Sequence, residues 1–269
     1  MKDISPQCGL PISISENDGK LYSNSPELII PKEGKRTFEQ LEEVTTEPAT
    51  EQQRDFAYLV YRNIFMRRDS GMFLASPLRY NLVVLPPGRI GNEYIKTLGH
   101  FHSIKPGTTT AYPEIYEIIL GEAIFLIQKM DESLQTVLEH YIFTCKQGEK
   151  IIIPPGFGHT TINATENILV MGNIMTTDNR PNYEPFRQFK GASYAVLHRK
   201  ENTISIEKNL RVTQTVPLKK ISVKAPDHLN IPLEEKLYPL VVKSPELFSF
   251  ISNPDQFQNE LSVGQLFTL

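Results

Sequence analysis

From residue 56 to about residue 200 the chain is a succession of short β-rich runs, and this punctuation constrains the fold more than any other feature. The runs cover 58–65, 82–85, 115–120, 123–127, 137–144, 150–153, 168–172 and 193–197, and Pro-Pro-Gly, Gly-Glu and Gln-Gly-Glu turn signals stand between them. Short strands joined by turns rather than helices imply an antiparallel sandwich or barrel, not βαβ units. Twenty prolines and no tryptophan in 269 residues also argue against a helix bundle.

The flanks read differently. Residues 1–55 form a polar arm with one apolar touch at Leu28-Ile29-Ile30 and a short helix. That helix starts at the capping-box pattern Thr37-Phe-Glu-Gln40, takes its apolar side from Leu41 and Val44, and stops at Pro48. The barrel is expected over 56–202 and a looser extension over 203–269, with helix starts at Ser244-Pro245-Glu246 and Asn253-Pro254-Asp255. The net charge of -3, from 28 basic against 31 acidic side chains, leaves no footprint for nucleic acid. No apolar stretch approaches the ~18 residues of a membrane span, so no membrane partner is expected. The N-terminus lacks the apolar core of a signal peptide, which makes the cytoplasm the expected compartment. Cys8 and Cys145 are too few for a disulfide framework or a thiolate metal site, and read as idle buried thiols.

Chemistry concentrates in two segments. In Gly99-His100-Phe101-His102 the histidines stand at i and i+2, which on a strand turns both imidazoles to one face. Glu114 follows in Tyr-Pro-Glu-Ile-Tyr, with Gly121 after six intervening residues. The second segment is Gly148-x5-Pro154-x-Gly156-x2-His159-x3-Asn163. Three neutral imidazoles and a carboxylate can bind a divalent first-row metal and leave positions open for substrate. Glu117 competes with Glu114, but a strand points the two to opposite faces, and only Glu114 has the right spacing to Gly121. His140, His198 and His228 read as isolated core or surface residues.

At these residues the sequence resembles the cupin superfamily, whose two motifs are His-x-His…Glu…Gly and the Gly-x5-Pro-x-Gly-x2-His-x3-Asn string. The resemblance implies an all-β double-stranded β-helix, a jelly-roll barrel with the metal inside its mouth and short helical N- and C-terminal extensions. Eleven residues separate His102 from Glu114, a longer loop at the barrel mouth than most cupins carry. A narrower resemblance covers roughly 56–200. Gly91-Asn92-Glu93, Lys-Thr97-x-Gly99-His100-x-His102, Glu114-Ile-Tyr116, Pro154-Pro155 through Asn163 and Tyr58-x-x-Tyr61 are similar to the cupin-type glucose-6-phosphate isomerases. It implies His100, His102, Glu114 and His159 as metal ligands, with iron(II) the first choice and manganese, nickel or zinc as alternatives. It further implies Tyr58, Thr97, Gly99 and Tyr183 as contacts to a phosphorylated sugar, Tyr116 beside the reacting carbons, and a homodimer. Val83 and Pro181 depart from the family pattern, which has threonine and histidine there.

The reaction so implied interconverts glucose 6-phosphate and fructose 6-phosphate, a step of glycolysis and gluconeogenesis. A metal on O1 and O2 would stabilise a cis-enediolate as a Lewis acid, while a base moves one proton between C1 and C2. Glu114 is the first candidate for that base, with Tyr116 or a metal-bound hydroxide as the alternatives. Lys96 could meet the phosphate only if a bulge turned it inward. Two other classes stay open on sequence: a cupin dioxygenase, and a sugar-binding cupin without catalysis.

Overall fold

The computed structural model describes residues 1–46, 54–200 and 203–269. In chain order the barrel strands are β1 (Gly34–Arg36), β2 (Tyr58–Arg62), β3 (Leu78–Leu85), β4 (Glu114–Leu120), β5 (Glu122–Met130), β6 (Val137–Lys146), β7 (Lys150–Ile153), β8 (Phe157–Ile162) and β9 (Leu169–Thr176). One antiparallel sheet runs β7-β4-β9-β3-β2-β1; the other runs β8-β5-β6 and gains a short parallel strand at Lys219–Lys220. From β4 to β9 the chain alternates between the sheets: β4 lies in the first, β5 and β6 in the second, β7 in the first, β8 in the second, β9 in the first. That alternation makes the all-β double-stranded β-helix of the cupins.

Glycine permits the tight crossings. Gly121 joins β4 to β5 at a φ of 86°, and a Cβ there would meet the Ile168 carbonyl oxygen at 2.9 Å. A left-handed residue in so close a space has to be glycine. Gly156 makes the second crossing, from β7 to β8, at a φ of 79°.

Strands β3, β4, β7 and β9 are buried on both faces, which explains why they read as apolar runs rather than clean alternations. Every residue of β9 is buried. Inside, Phe125 stacks on Phe143 at 5.4 Å, and Phe143 meets Phe267 from the C-terminal segment at 4.9 Å. Two short helices belong to the flanks: α1 (Phe38–Glu42) and α2 (Leu237–Lys243). On α2, Tyr238 packs edge-on against Tyr80 of β3 at 5.3 Å, donates to Asp69 Oδ2 at 2.6 Å and accepts from Met66 N at 2.8 Å. The C-terminal segment therefore covers the outer face of the larger sheet.

The capping box of α1 is formed in both directions: Thr37 Oγ1 accepts from Gln40 N and Gln40 Oε1 from Thr37 N, each at 3.2 Å. Pro48 lies outside the described residues. Ser244-Pro245 and Asn253-Pro254 open only single 3-10 turns, Pro245–Phe248 and Pro254–Gln256, the first running into the α-turn Ser249–Ser252. Two expectations are corrected. Strand β8, which carries His159, was not among the eight runs, because Gly-His-Thr-Thr offers neither an aliphatic run nor clean alternation. The His-x-His segment is not a regular strand either; it is extended chain held by single bridges, His100 to His159 and Phe101 to Asn182. Gly99, at a φ of 75°, breaks the strand geometry just before it.

Candidate metal centre

His100, His102, Glu114 and His159 lie together, with one donor atom from each within 4.8 Å of all the others. Three neighbourhoods supply them. The bridged segment brings His100 and His102, the first residue of β4 brings Glu114, and β8 brings His159. Glu114 Oε2 is 3.3 Å from His102 Nε2 and 3.4 Å from His159 Nε2, while His100 Nε2 is 3.1 Å from His102 Nε2. Burial, then the neighbouring histidines, holds the His100 imidazole well below its usual value. Burial likewise lowers His159, against the pull of Glu114. Burial alone would raise the Glu114 carboxyl, but its close contacts with His102 and His159 outweigh it and hold the group below the usual carboxylate range.

His102 Nδ1 donates to the Tyr112 carbonyl at 2.8 Å, an assignment that leaves the Nε2 lone pair facing the cluster. Neutral imidazoles with nitrogens converging on an ionised carboxylate repel one another unless a cation sits among them. The donor set fits a divalent first-row ion, with no thiolate to close the site as a structural zinc.

Tyr112 belongs to the long loop between His102 and Glu114. The loop is ordered rather than open: Tyr112 N donates to Ser103 O at 3.1 Å, Ile104 bridges Ala111, and Lys105 Nζ reaches Asp255 Oδ1 at 2.7 Å. It thus sets the carbonyl that orients His102 and is pinned to the C-terminal segment. Glu117 points the other way, as strand alternation requires. Its Oε2 accepts from Leu237 N at 2.8 Å and its Oε1 lies 3.5 Å from Lys150 Nζ.

His100, Glu114 and His159 line a cavity that Tyr116, Tyr58, Thr97, Gly99 and Tyr183 also line. The Tyr116 hydroxyl donates to Glu114 Oε2 at 3.0 Å and lies 3.2 Å from His159 Nε2. Tyr58 OH accepts from Leu98 N at 3.2 Å and so keeps its own proton to donate. Thr97 Oγ1 accepts from Thr161 N at 3.0 Å, and the Tyr183 ring packs against His100 at 5.4 Å. A Cβ on Gly99 would come within 2.5 Å of the Phe186 ring, so only glycine lets the backbone pass here. Val83 and Pro181 line the same cavity. Lys96 does not: its ammonium pairs with Glu93 in a separate cavity. Tyr61 faces outward and accepts from Leu21 N at 3.0 Å.

Sequence reasoning missed Arg36, Arg62 and Arg79, which line this cavity too. A signal existed. Tyr58-x-Val60-x-Arg62 and Arg79-x-Asn81-x-Val83 each place three residues on one strand face, and all six line the cavity.

Fold and donor set together define a cupin barrel with a three-histidine, one-carboxylate centre. A family model described as glucose-6-phosphate isomerase (GPI) matches residues 35–212, and the chain belongs to that family. Curated relatives include the glucose-6-phosphate isomerases of Thermococcus kodakarensis, 28% identical, Thermococcus onnurineus, 27%, and Pyrococcus furiosus, 25%. Each match runs over 120 residues, 45% of this chain and 57% of the relative, so the chain spans little more than half the length of the curated relatives it matches. Among solved structures, oxalate decarboxylase from Bacillus subtilis is similar with a TM-score of 0.33 and 18% identity over 48% of this chain and 28% of that one.

Proposed function

We propose that this chain is a metal-dependent aldose–ketose isomerase that interconverts glucose 6-phosphate and fructose 6-phosphate. The observation that carries the reading is the Tyr116 hydroxyl set between Glu114 and His159 in a cavity whose walls display further donors. A divalent cation held by His100, His102, Glu114 and His159, iron(II) by preference, supplies Lewis-acid polarisation of the sugar carbonyl.

The chain's own residues do the rest. With open-chain glucose 6-phosphate in the cavity, Glu114 takes the proton from C2. The electron pair of that C–H bond becomes the C1–C2 double bond, and the aldehyde oxygen takes up the negative charge. Return of the proton to C1, with the O2 proton passing to O1, gives the ketose. Burial and the Glu114 charge push the Tyr116 phenol well above its usual value. Tyr116 therefore stays protonated and acts as the hydrogen-bond donor that aims the carboxylate, not as the base. Tyr58, Thr97 and Tyr183 offer hydroxyls to the sugar, and Gly99 its N–H.

The test is incubation of metal-loaded protein with fructose 6-phosphate while glucose 6-phosphate and dissolved oxygen are both followed. Glucose 6-phosphate formation without oxygen uptake supports the isomerase. Oxygen uptake with a small diketone or acid, and no sugar turnover, would replace it with a dioxygenase.

A further inference from the structure

Residues 103–112, between His102 and Glu114, form a hairpin whose base and far end are held by different parts of the chain. Three rungs make its ladder: Tyr112 N donates to Ser103 O at 3.1 Å, Ile104 bridges Ala111, and Lys105 N donates to Thr110 O at 2.9 Å. At the base, Ser103 N donates at 3.0 Å to Oδ1 of Asn179, just beyond β9. At the far end both side chains of the last rung reach out. Lys105 Nζ donates to Asp255 Oδ1 at 2.7 Å and to Asn253 Oδ1 at 3.1 Å, and Thr110 Oγ1 accepts from Gln258 Nε2 at 3.2 Å.

The far-end partners stand on a packed part of the C-terminal segment. Phe248, Phe250 and Ile251 are fully buried, Pro254 is buried beside them, and Phe250 meets Phe257 edge-on at 6.5 Å. This segment lies beyond residue 212, where the family match ends. One bond leads from the hairpin back to the metal centre: Tyr112 O, on the base rung, takes the Nδ1 proton of His102. A shift of that carbonyl frees the imidazole to turn, or to move its proton to the nitrogen that must face a cation.

We propose that Lys105, Asn253 and Asp255 are positioning residues for the metal centre. The C-terminal segment latches the hairpin, the hairpin fixes the Tyr112 carbonyl, and the carbonyl keeps His102 in the tautomer and orientation that ligate. The proposal rests on the metal centre of the isomerase reading and not on its sugar. One ammonium bonded to two oxygens of the same packed turn is a two-point tie, and Gln258 adds a third tie on the other arm of the hairpin. The side chains of Lys105 and Asp255 are 22% and 29% exposed, and a pair so open to water adds little to the stability of the whole fold. Its effect is local: it orders a hairpin that the barrel itself holds at the base.

The experiment measures manganese(II) affinity by competition with a chelator, beside chemical unfolding of the metal-free protein. It compares the wild type, Lys105→Met, Lys105→Glu, Asp255→Lys and the double variant Lys105→Glu with Asp255→Lys. The single variants are expected to bind manganese ~10-fold more weakly, the low end for a lost contact behind a metal ligand. Unfolding of the metal-free protein should stay nearly unchanged. The double variant, which restores an ion pair of reversed sense, should regain most of the affinity. Equal affinity across the set would overturn the latch and show that the base of the hairpin, through Asn179, suffices. Affinity lost only in step with stability, and not regained in the double variant, would overturn it as general damage to the fold. Neither result touches the isomerase, whereas a wild type that holds no manganese would remove latch and metal centre together.

Discussion

The Tyr116 hydroxyl donates to Glu114 Oε2 across 3.0 Å, two side chains that share one face of β4 because they stand two residues apart. This bond ties the metal-ligand carboxylate to a buried phenol that cannot readily ionise. Tyr116→Phe keeps the ring packed on Phe125 and removes the hydroxyl with its contacts to Glu114 and His159. Turnover is expected to fall ~10-fold or more with metal content unchanged, the scale of a hydrogen bond to a charged group. Unaltered turnover in the variant would show that the phenol has no part in the chemistry.

Glu114→Gln separates ligand from base. The amide keeps the shape and one ligating oxygen but loses charge and basicity. A loss of ~10²-fold or more that saturating metal does not repair is expected, the range of a positioned acid–base group. Complete recovery on adding metal would confine Glu114 to metal binding.

On the opposite face of β4, Glu117 is buried against Lys150 and the first N–H of α2. Lys150 Nζ also donates to Leu233 O at 2.7 Å. Lys150→Met strands the carboxylate, and chemical denaturation is expected to show a loss of ~3 kcal/mol. Burial pushes the Glu117 pKa up, so the loss should shrink in acid as the carboxyl takes a proton. The double replacement Lys150→Met with Glu117→Gln should regain most of the stability; a double variant no better than the single one would contradict the pairing.

His140 is the acid-sensitive element away from the cluster. Burial takes its imidazole from the usual 6.5 down to about 3, and the ring bonds to the Ser193 hydroxyl. Below the unfolded value the unfolded chain gains a proton that the folded chain refuses. Stability from this group is therefore complete above pH 6.5 and drains away as pH falls towards 3. Unfolding measured at pH 6.5 and about pH 5 should show the wild type losing ~1.5 kcal/mol more than His140→Gln. Equal acid losses in the two proteins would locate the sensitivity elsewhere.

The cluster was legible because its residue types sit at fixed offsets, and because strand alternation alone separates Glu114 from Glu117. The arginine wall was not. A lone arginine on a strand reads as a solvent-facing residue, and Arg36, Arg62 and Arg79 meet only through the non-local pairing of β1 with β2 and β2 with β3. The same is true of the C-terminal segment: nothing local in Leu237-Tyr238 announces that its N–H and phenol will meet Glu117 and Asp69. The strand carrying His159 was hidden for another reason, since its polar residues are buried by hydrogen bonding rather than by hydrophobicity.

The most direct measurement strips the wild type with a chelator, restores iron(II), and follows conversion of fructose 6-phosphate to glucose 6-phosphate beside His159→Ala treated identically. Turnover lost on chelation, regained with metal in the wild type and absent throughout in His159→Ala, with metal content reduced in the variant, is the predicted result. Turnover that survives chelation, or equal metal content and rate in the two proteins, would contradict a metal-dependent isomerase at this cluster.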